Sequence, residues 1–177
     1  MTFGDGTTDE PGTMLGLFQS NRGDVTPFFA NYANSWGSAG YRFGTISGGK
    51  MISYFYDLST SKFRGRIINN TVADKVGTWT TMGWTYDGGG APLTGSRIYL
   101  DGKREDDTNA SAGGTYVAME AADPAVYPLQ IGRFGPYVVA QFLDGGVAGF
   151  IVFNIELSAI QMSDVHYMLR NNMENDN

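Results

Sequence analysis

Cysteine is missing from this chain altogether. Its absence excludes a disulfide framework and any thiolate metal site, so packing, with at most a bound ion, must hold the fold together. Histidine is nearly missing too: His166 stands alone. One imidazole cannot build a zinc centre without three other ligands, and no serine motif accompanies it as the partner of a nucleophile. Positive charge is scarce, with 12 Lys and Arg against 18 Asp and Glu and a net charge of -6. A duplex-binding protein needs a basic patch to neutralise phosphates, and none is written here, so nucleic acid is excluded as a partner. No apolar run approaches the ~20 residues of a membrane-spanning helix, which excludes insertion by a helix. The opening Met1-Thr-Phe-Gly-Asp-Gly6 has neither the basic nor the apolar region of a signal peptide. Either the protein is made without export or the sequence is a piece of a longer one.

What is present is apolar, aromatic and glycine-rich. Hydrophobic residues make up 42% and aromatics 14%, with 25 glycines and 10 tyrosines, the composition of short strands joined by tight turns. The segment Trp79-Thr-Thr-Met-Gly-Trp-Thr-Tyr86 alternates with period two, placing Thr80, Met82, Trp84 and Tyr86 on one side. Asp87-Gly88 and Asp101-Gly102 supply the positive-φ residues of hairpin turns on either side of Arg97–Leu100. Further strands are expected over Thr13–Gln19, Pro27–Tyr32, Tyr41–Ile46, Met51–Leu58, Phe63–Val72, Tyr127–Gly132 and Val147–Asn154. Trp79 and Trp84 both read as core.

The end of the chain alone reads as helix. Ile160, Val165, Met168 and Leu169 recur at helical spacing behind Ser158 as N-cap, with Gln161 at the capping-box position. The expected organisation is one domain over residues 1–170 and a polar tail over residues 171–177. Arg64 and Arg66 are expected on a solvated strand face, and Glu105-Asp106-Asp107 in a solvated turn. Arg22-Gly23-Asp24 spells an adhesion tripeptide but is also an ordinary turn.

As a set, several motifs resemble the laminin G-like, concanavalin A-like jelly-roll family. They are Trp79, Thr85-Tyr-Asp-Gly88, Ile98-Tyr-Leu-Asp-Gly102, Leu129-Gln-Ile-Gly132, the closing strand Gly146–Asn154 and Leu157-Ser-Ala159. Phe3-Gly-Asp-Gly-Thr-Thr-Asp9, Pro11 and Tyr54-Phe-Tyr-Asp-Leu-Ser-Thr60 resemble copies carried in bacteriophage virion proteins. The resemblance implies an all-β fold, an antiparallel two-sheet jelly-roll sandwich with one short C-terminal helix. It departs from the family at Ala148-Gly149, where relatives carry an acidic pair that helps organise a calcium ion or a local polar network. Relatives also carry one more strand before Phe3-Gly-Asp-Gly6, so an open sheet edge is expected.

The function implied is non-enzymatic: a virion structural module for capsid decoration or for fibre or tail attachment, with a glycan-binding role. Its partners would be other virion proteins, further copies of itself and a host-surface glycan, and its location the phage particle. The alternative is a calcium-dependent carbohydrate-binding module of a secreted or cell-surface bacterial protein. Catalysis is not expected, because jelly-roll glycoside hydrolases set paired carboxylates along a concave strand and no Glu-x-Asp-x-x-Glu arrangement occurs. Trp36, Tyr41 and Tyr137 sit in or beside polar, glycine-rich segments, where a ring can stack on a sugar; for Trp36 a loop-anchoring plug is the competing use. Asp5 and Asp9 share a glycine-rich loop whose carbonyls could join their carboxylates around Ca2+. The same pattern also makes an ordinary turn.

Overall fold

The computed structural model describes residues 3–31, 40–57, 59–105, 107–111, 114–119, 128–133 and 142–175. Trp36 and Tyr137 lie outside these residues.

The expected alternation becomes two antiparallel sheets. In chain order the elements are β1 (Gly12–Ser20), β2 (Pro27–Asn31), β3 (Gly40–Ile46), β4 (Lys50–Asp57), β5 (Lys62–Ile68) and β6 (Trp79–Tyr86). After the short helix α1 (Pro92–Gly95) come β7 (Ser96–Leu100), β8 (Lys103–Arg104), β9 (Asp107–Ser111), β10 (Gln130–Ile131), β11 (Gly145–Phe153) and the helix α2 (Ala159–Asn175). One sheet runs β11-β1-β6-β7-β8 and the other β10-β2-β3-β4-β5-β9. The β7–β8 connection is the two-residue turn that Asp101-Gly102 predicts, with φ of 48° and 75° and Leu100 paired to Lys103. Both φ values are positive, as a type I′ hairpin requires.

The core between the sheets is aromatic. Trp84 lies at its centre, with its ring 5.3 Å from Phe3, 6.0 Å from Tyr41 and 5.1 Å from Phe55. Phe3 reaches this core from the opening loop because Gly12 leaves room: a Cβ there would stand 2.1 Å from the Phe3 ring. Tyr41 is 1% exposed and packs 5.5 Å from Phe3. This corrects its expected role, since a ring enclosed on both sides has no face for a sugar.

A second apolar layer covers the outside of the five-stranded sheet. Met162 and Leu169 of α2 pack there on Leu15, Leu17 and Tyr99. Trp79 belongs to this outer layer, half-buried, and not to the central core. Strand parity separates it from Trp84, but both faces of the sheet are covered, so parity alone does not distinguish core from outer layer. The capping box forms: the Ser158 amide donates to Gln161 Oε1 at 2.9 Å, and the Gln161 amide donates to Ser158 Oγ at 3.3 Å. The helix continues to Asn175, beyond the boundary expected at residue 170. Its buried face also differs: Ile160 is 76% exposed, and Met162 takes the inward place.

The acidic run near residue 105 is a second correction. Asp107 opens β9, and its side chain is 1% exposed against Arg66. Arg66 also donates to the carbonyls of Leu93 (2.7 Å) and Asp107 (2.8 Å), tying α1 and β9 to β5. A half-buried Arg66 spent on structure replaces the expected solvated face at that position.

Candidate functional site

Strand register gathers one set of chain segments at one end of the sandwich. β1 begins there beside the end of β6 (Gly12 pairs with Tyr86), and β4 ends there beside the start of β5 (Asp57 pairs with Lys62). Asn31 and Gly40, which flank residues 32–39, sit at the same end through Asn31–Tyr41 and Gly40–Tyr56 pairing. The expected ligand residues Asp5 and Asp9 are therefore at this end, as are the described neighbours of Trp36.

The opening loop is a small hairpin. Gly4 bridges Asp9, and the Glu10 amide donates to the Phe3 carbonyl at 2.7 Å. Asp5 Oδ1 accepts from the Thr7 amide (2.8 Å), the Thr7 hydroxyl (2.6 Å) and the Thr8 amide (2.7 Å). Donation from the Thr7 hydroxyl and from the Thr8 and Thr7 amides holds this exposed carboxyl well below its usual range.

Asp9 is buried and points the other way. Its Oδ2 accepts from the Tyr86 hydroxyl (2.5 Å) and the Tyr116 hydroxyl (3.0 Å), while Oδ1 accepts from the Met119 amide (2.6 Å). Burial pushes its carboxyl up against the pull of these donors. Asp57 completes the arrangement: Oδ2 accepts from the Val117 amide (2.7 Å), and Oδ1 from the Ser59 hydroxyl (2.6 Å) and the Thr60 amide (3.1 Å). Burial raises the Asp57 carboxyl, and these donors outweigh it, leaving it below its ordinary range. Two carboxylates thus latch one strap, residues 116–119, across the end of the sandwich.

This geometry does not suit calcium. Ca2+ needs six to eight oxygen ligands turned toward it, whereas Asp5 Oδ1 and both oxygens of Asp9 face N–H and O–H donors. Among the described residues no three His, Asp or Glu side chains are grouped as a metal site. Asp5 forms a turn, and Asp9 is a latch. Neither buried carboxylate is free for acid–base work on a bound sugar.

The strap walls two adjoining open cavities. One, of about 380 Å³, is lined by Thr7, Thr8, Asp9, Gly88–Gly90 and Val117. The other, of about 270 Å³, is lined by Gly90–Thr94, Arg64 and Tyr116. Gly90 borders both, so they adjoin as one groove whose lining combines threonines and glycine backbone with Val117 and Tyr116. Val117 is 48% exposed. This groove carries no motif in the sequence; its only signal is the run of three glycines.

At the opposite end the adhesion-like tripeptide is closed on itself. Arg22 donates to both carboxylate oxygens of Asp24, at 3.0 and 2.8 Å, as a turn would. His166 is a packing residue, with Nδ1 2.9 Å from Thr81 Oγ1.

Two antiparallel sheets and the helical cover define the chain as an all-β jelly-roll sandwich. No family model matches it, and no curated protein does. Solved structures do match. The sialidase CBM40 of Ruminococcus gnavus bound to α2,3-sialyllactose superposes with a TM-score of 0.62 at 12% identity, over 91% of this chain and 84% of that one. The native heptameric SAP-like pentraxin of Limulus polyphemus gives 0.53 at 12% identity, over 90% and 72%. The binding domain of botulinum neurotoxin serotype G gives 0.55 at 11%, over 95% of this chain and 38% of that one. At these identities the likeness establishes the fold. Among the described residues no helix is long and apolar enough to cross a membrane.

Proposed function

We propose that this domain is a non-enzymatic glycan-binding and assembly module. The observation that carries the binding half is the groove along the 116–119 strap. It offers hydroxyls and open backbone for a sugar's polar edge and an exposed valine with a half-buried tyrosine for its apolar face. Two buried carboxylates hold the wall rigid before any ligand arrives. The structural neighbours support the reading, since one of them is a carbohydrate-binding module with a sialylated sugar in place.

The assembly half draws on the open edge. β11 reads Gly-Gly-Val-Ala-Gly-Phe-Ile-Val-Phe, carries no charge, and pairs only with β1 among the described residues. Val147 on it is 42% exposed. A neutral edge on a chain of net charge -6 is where a second copy meets least repulsion, and strand addition completes the sheet. Display on a phage particle, with other virion proteins as neighbours, follows from the resemblance of the Phe3–Asp9 and Tyr54–Thr60 segments. Repetition there would turn weak single sites into avidity. The alternative setting is a secreted or cell-surface carbohydrate-binding module.

The test of the groove is glycan binding by the intact protein and by Val117→Asp, which puts a charge on an exposed side chain and keeps the backbone amide that donates to Asp57. Loss of binding in a variant with an unchanged melting midpoint supports the groove. Undiminished binding removes it. The edge is tested by solution mass: Val147→Lys should shift an oligomer to monomer, and a wild type that is already monomeric contradicts the edge.

A further inference from the structure

A separate cavity of about 370 Å³ opens at the other end of the sandwich, on the helical side. It lies between the 3-10 turn Ala73–Lys75, the start of β6, the Asp101-Gly102 turn and α2, with Asp74, Lys75, Trp79, Asp101, His166 and Arg170 around it. Parity puts Trp79 on the outer sheet face, where two contacts fix it. Its six-membered ring lies over Gly146, where a Cβ would stand 2.7 Å from the ring. The Arg170 guanidinium donates to its carbonyl at 2.8 Å. The indole is thus held in place yet half-exposed to the cavity.

The polar groups around it are also held. Asp101 Oδ1 accepts from the Thr81 amide at 3.1 Å, and its Oδ2 lies 3.3 Å from Lys75 Nζ. His166 is pinned to Thr81. Burial lowers the imidazole's pKa; Asp101 opposes that effect and Arg170 adds to it. With His166 counted as neutral, the carboxylates of Asp74 and Asp101 balance the Lys75 ammonium and the Arg170 guanidinium.

A site with both signs but no net charge gives no Coulomb advantage to an anion or a cation. It offers acceptors and donors side by side, which is what the vicinal hydroxyls of a pyranose need, and an aromatic ring for the sugar's C–H face. Its volume lies in the usual range for a small-molecule site. We propose that this cavity is a second glycan site, independent of the strap groove, that takes a neutral hexose-type sugar in preference to acidic ones. Sites at opposite ends would let one domain bridge two glycan chains.

The test follows the indole N–H resonances of the three tryptophans, assigned with Trp36→Phe and Trp79→Phe. Wild type is titrated with glucose, galactose, mannose and N-acetylglucosamine, and separately with N-acetylneuraminic acid. The expected result is a saturable shift of the Trp79 resonance with at least one neutral sugar and a weaker response to the acid. Asp101→Asn keeps an acceptor for Thr81 and tolerates the left-handed backbone. It should weaken that binding about tenfold, the loss expected when a hydrogen bond to a charged group is removed. An unmoved Trp79 resonance overturns the proposal, as does an equal response to the acidic sugar or unchanged affinity in both Asp101→Asn and Lys75→Met. Glycan binding that is lost in Val117→Asp with no shift at Trp79 leaves the strap groove standing and removes this site; a Trp79 shift with binding unchanged in Val117→Asp removes the groove and keeps the cavity.

Discussion

Replacing Asp9 with alanine should be the most damaging single change at the loop end. The carboxylate accepts three hydrogen bonds, from Tyr86, Tyr116 and Met119, the last lying 110 residues away along the chain. Hydrogen bonds to a charged group contribute about 1.5–3 kcal/mol each, so the gross interaction is about 4–9 kcal/mol. Burial of the carboxylate, visible in its raised pKa, offsets part of this. Alanine also leaves the Met119 amide without its partner in a buried place, an added cost of about 1–3 kcal/mol. We expect a net loss of about 3–5 kcal/mol, a large share of the 5–15 kcal/mol typical of a domain. That corresponds to a midpoint roughly 6–20 °C lower for a chain of this size. Urea and thermal unfolding read the loss, and hydrogen exchange at Met119 reads the freed strap. Asp5→Ala is the control, because its bonds close only its own exposed turn and its loss should be far smaller. A cost for Asp9→Ala below about 1 kcal/mol, or one equal to that of Asp5→Ala, would refute the latch.

Arg66→Met should cost about 3–5 kcal/mol in unfolding free energy, since it strands the buried Asp107 carboxylate; a near-neutral effect would contradict the buried pair. Asp9 also sets a pH signature. Its folded pKa lies above the unfolded one, so the folded state binds more protons and the stabilisation is present at low pH and lost as pH rises through the folded value. The midpoint of wild type relative to Asp9→Asn should therefore improve as pH falls from neutral into the acid range, and a constant difference would contradict it. Gly12→Ala should destabilise by about 1–3 kcal/mol by driving the Phe3 ring from its seat and should alter Trp84 fluorescence; unchanged fluorescence would contradict that packing. Chelator should leave the melting midpoint of the wild type where it is, and a drop would restore a calcium site.

Local chemistry was readable wherever its partner is close in sequence. Alternation from Thr80 to Tyr86 gives a strand whose Met82, Trp84 and Tyr86 face the core, and Asp101-Gly102 gives the turn beside it, because backbone geometry alone selects those residues. The Ser158–Gln161 capping box was legible for the same reason. What was not legible depends on contacts between distant parts of the chain. Nothing near Asp107 announces a partner 41 residues earlier in Arg66. Nothing near Asp9 announces Met119. Tyr41 looked like a loop aromatic beside its glycines, and only the meeting of Phe3 and Trp84 encloses it. Trp79 read as core because a tryptophan on a regular strand usually is, and only α2 shows that a second layer and a cavity lie on its side of the sheet. Of the expected site residues the structure brings Asp5 and Asp9 to one end as turn and latch, and the groove beside them is formed mostly by backbone.

The central claim is that the loop end binds a glycan without calcium. The most direct measurement is a glycan array probed with the intact protein in the presence of chelator, alongside Trp36→Ala and Val117→Asp. The account predicts a saturable signal that survives chelation, is competed by the free sugar and falls in both variants at unchanged fold. An array silent for well-folded wild type, or a signal abolished by chelator, would contradict it.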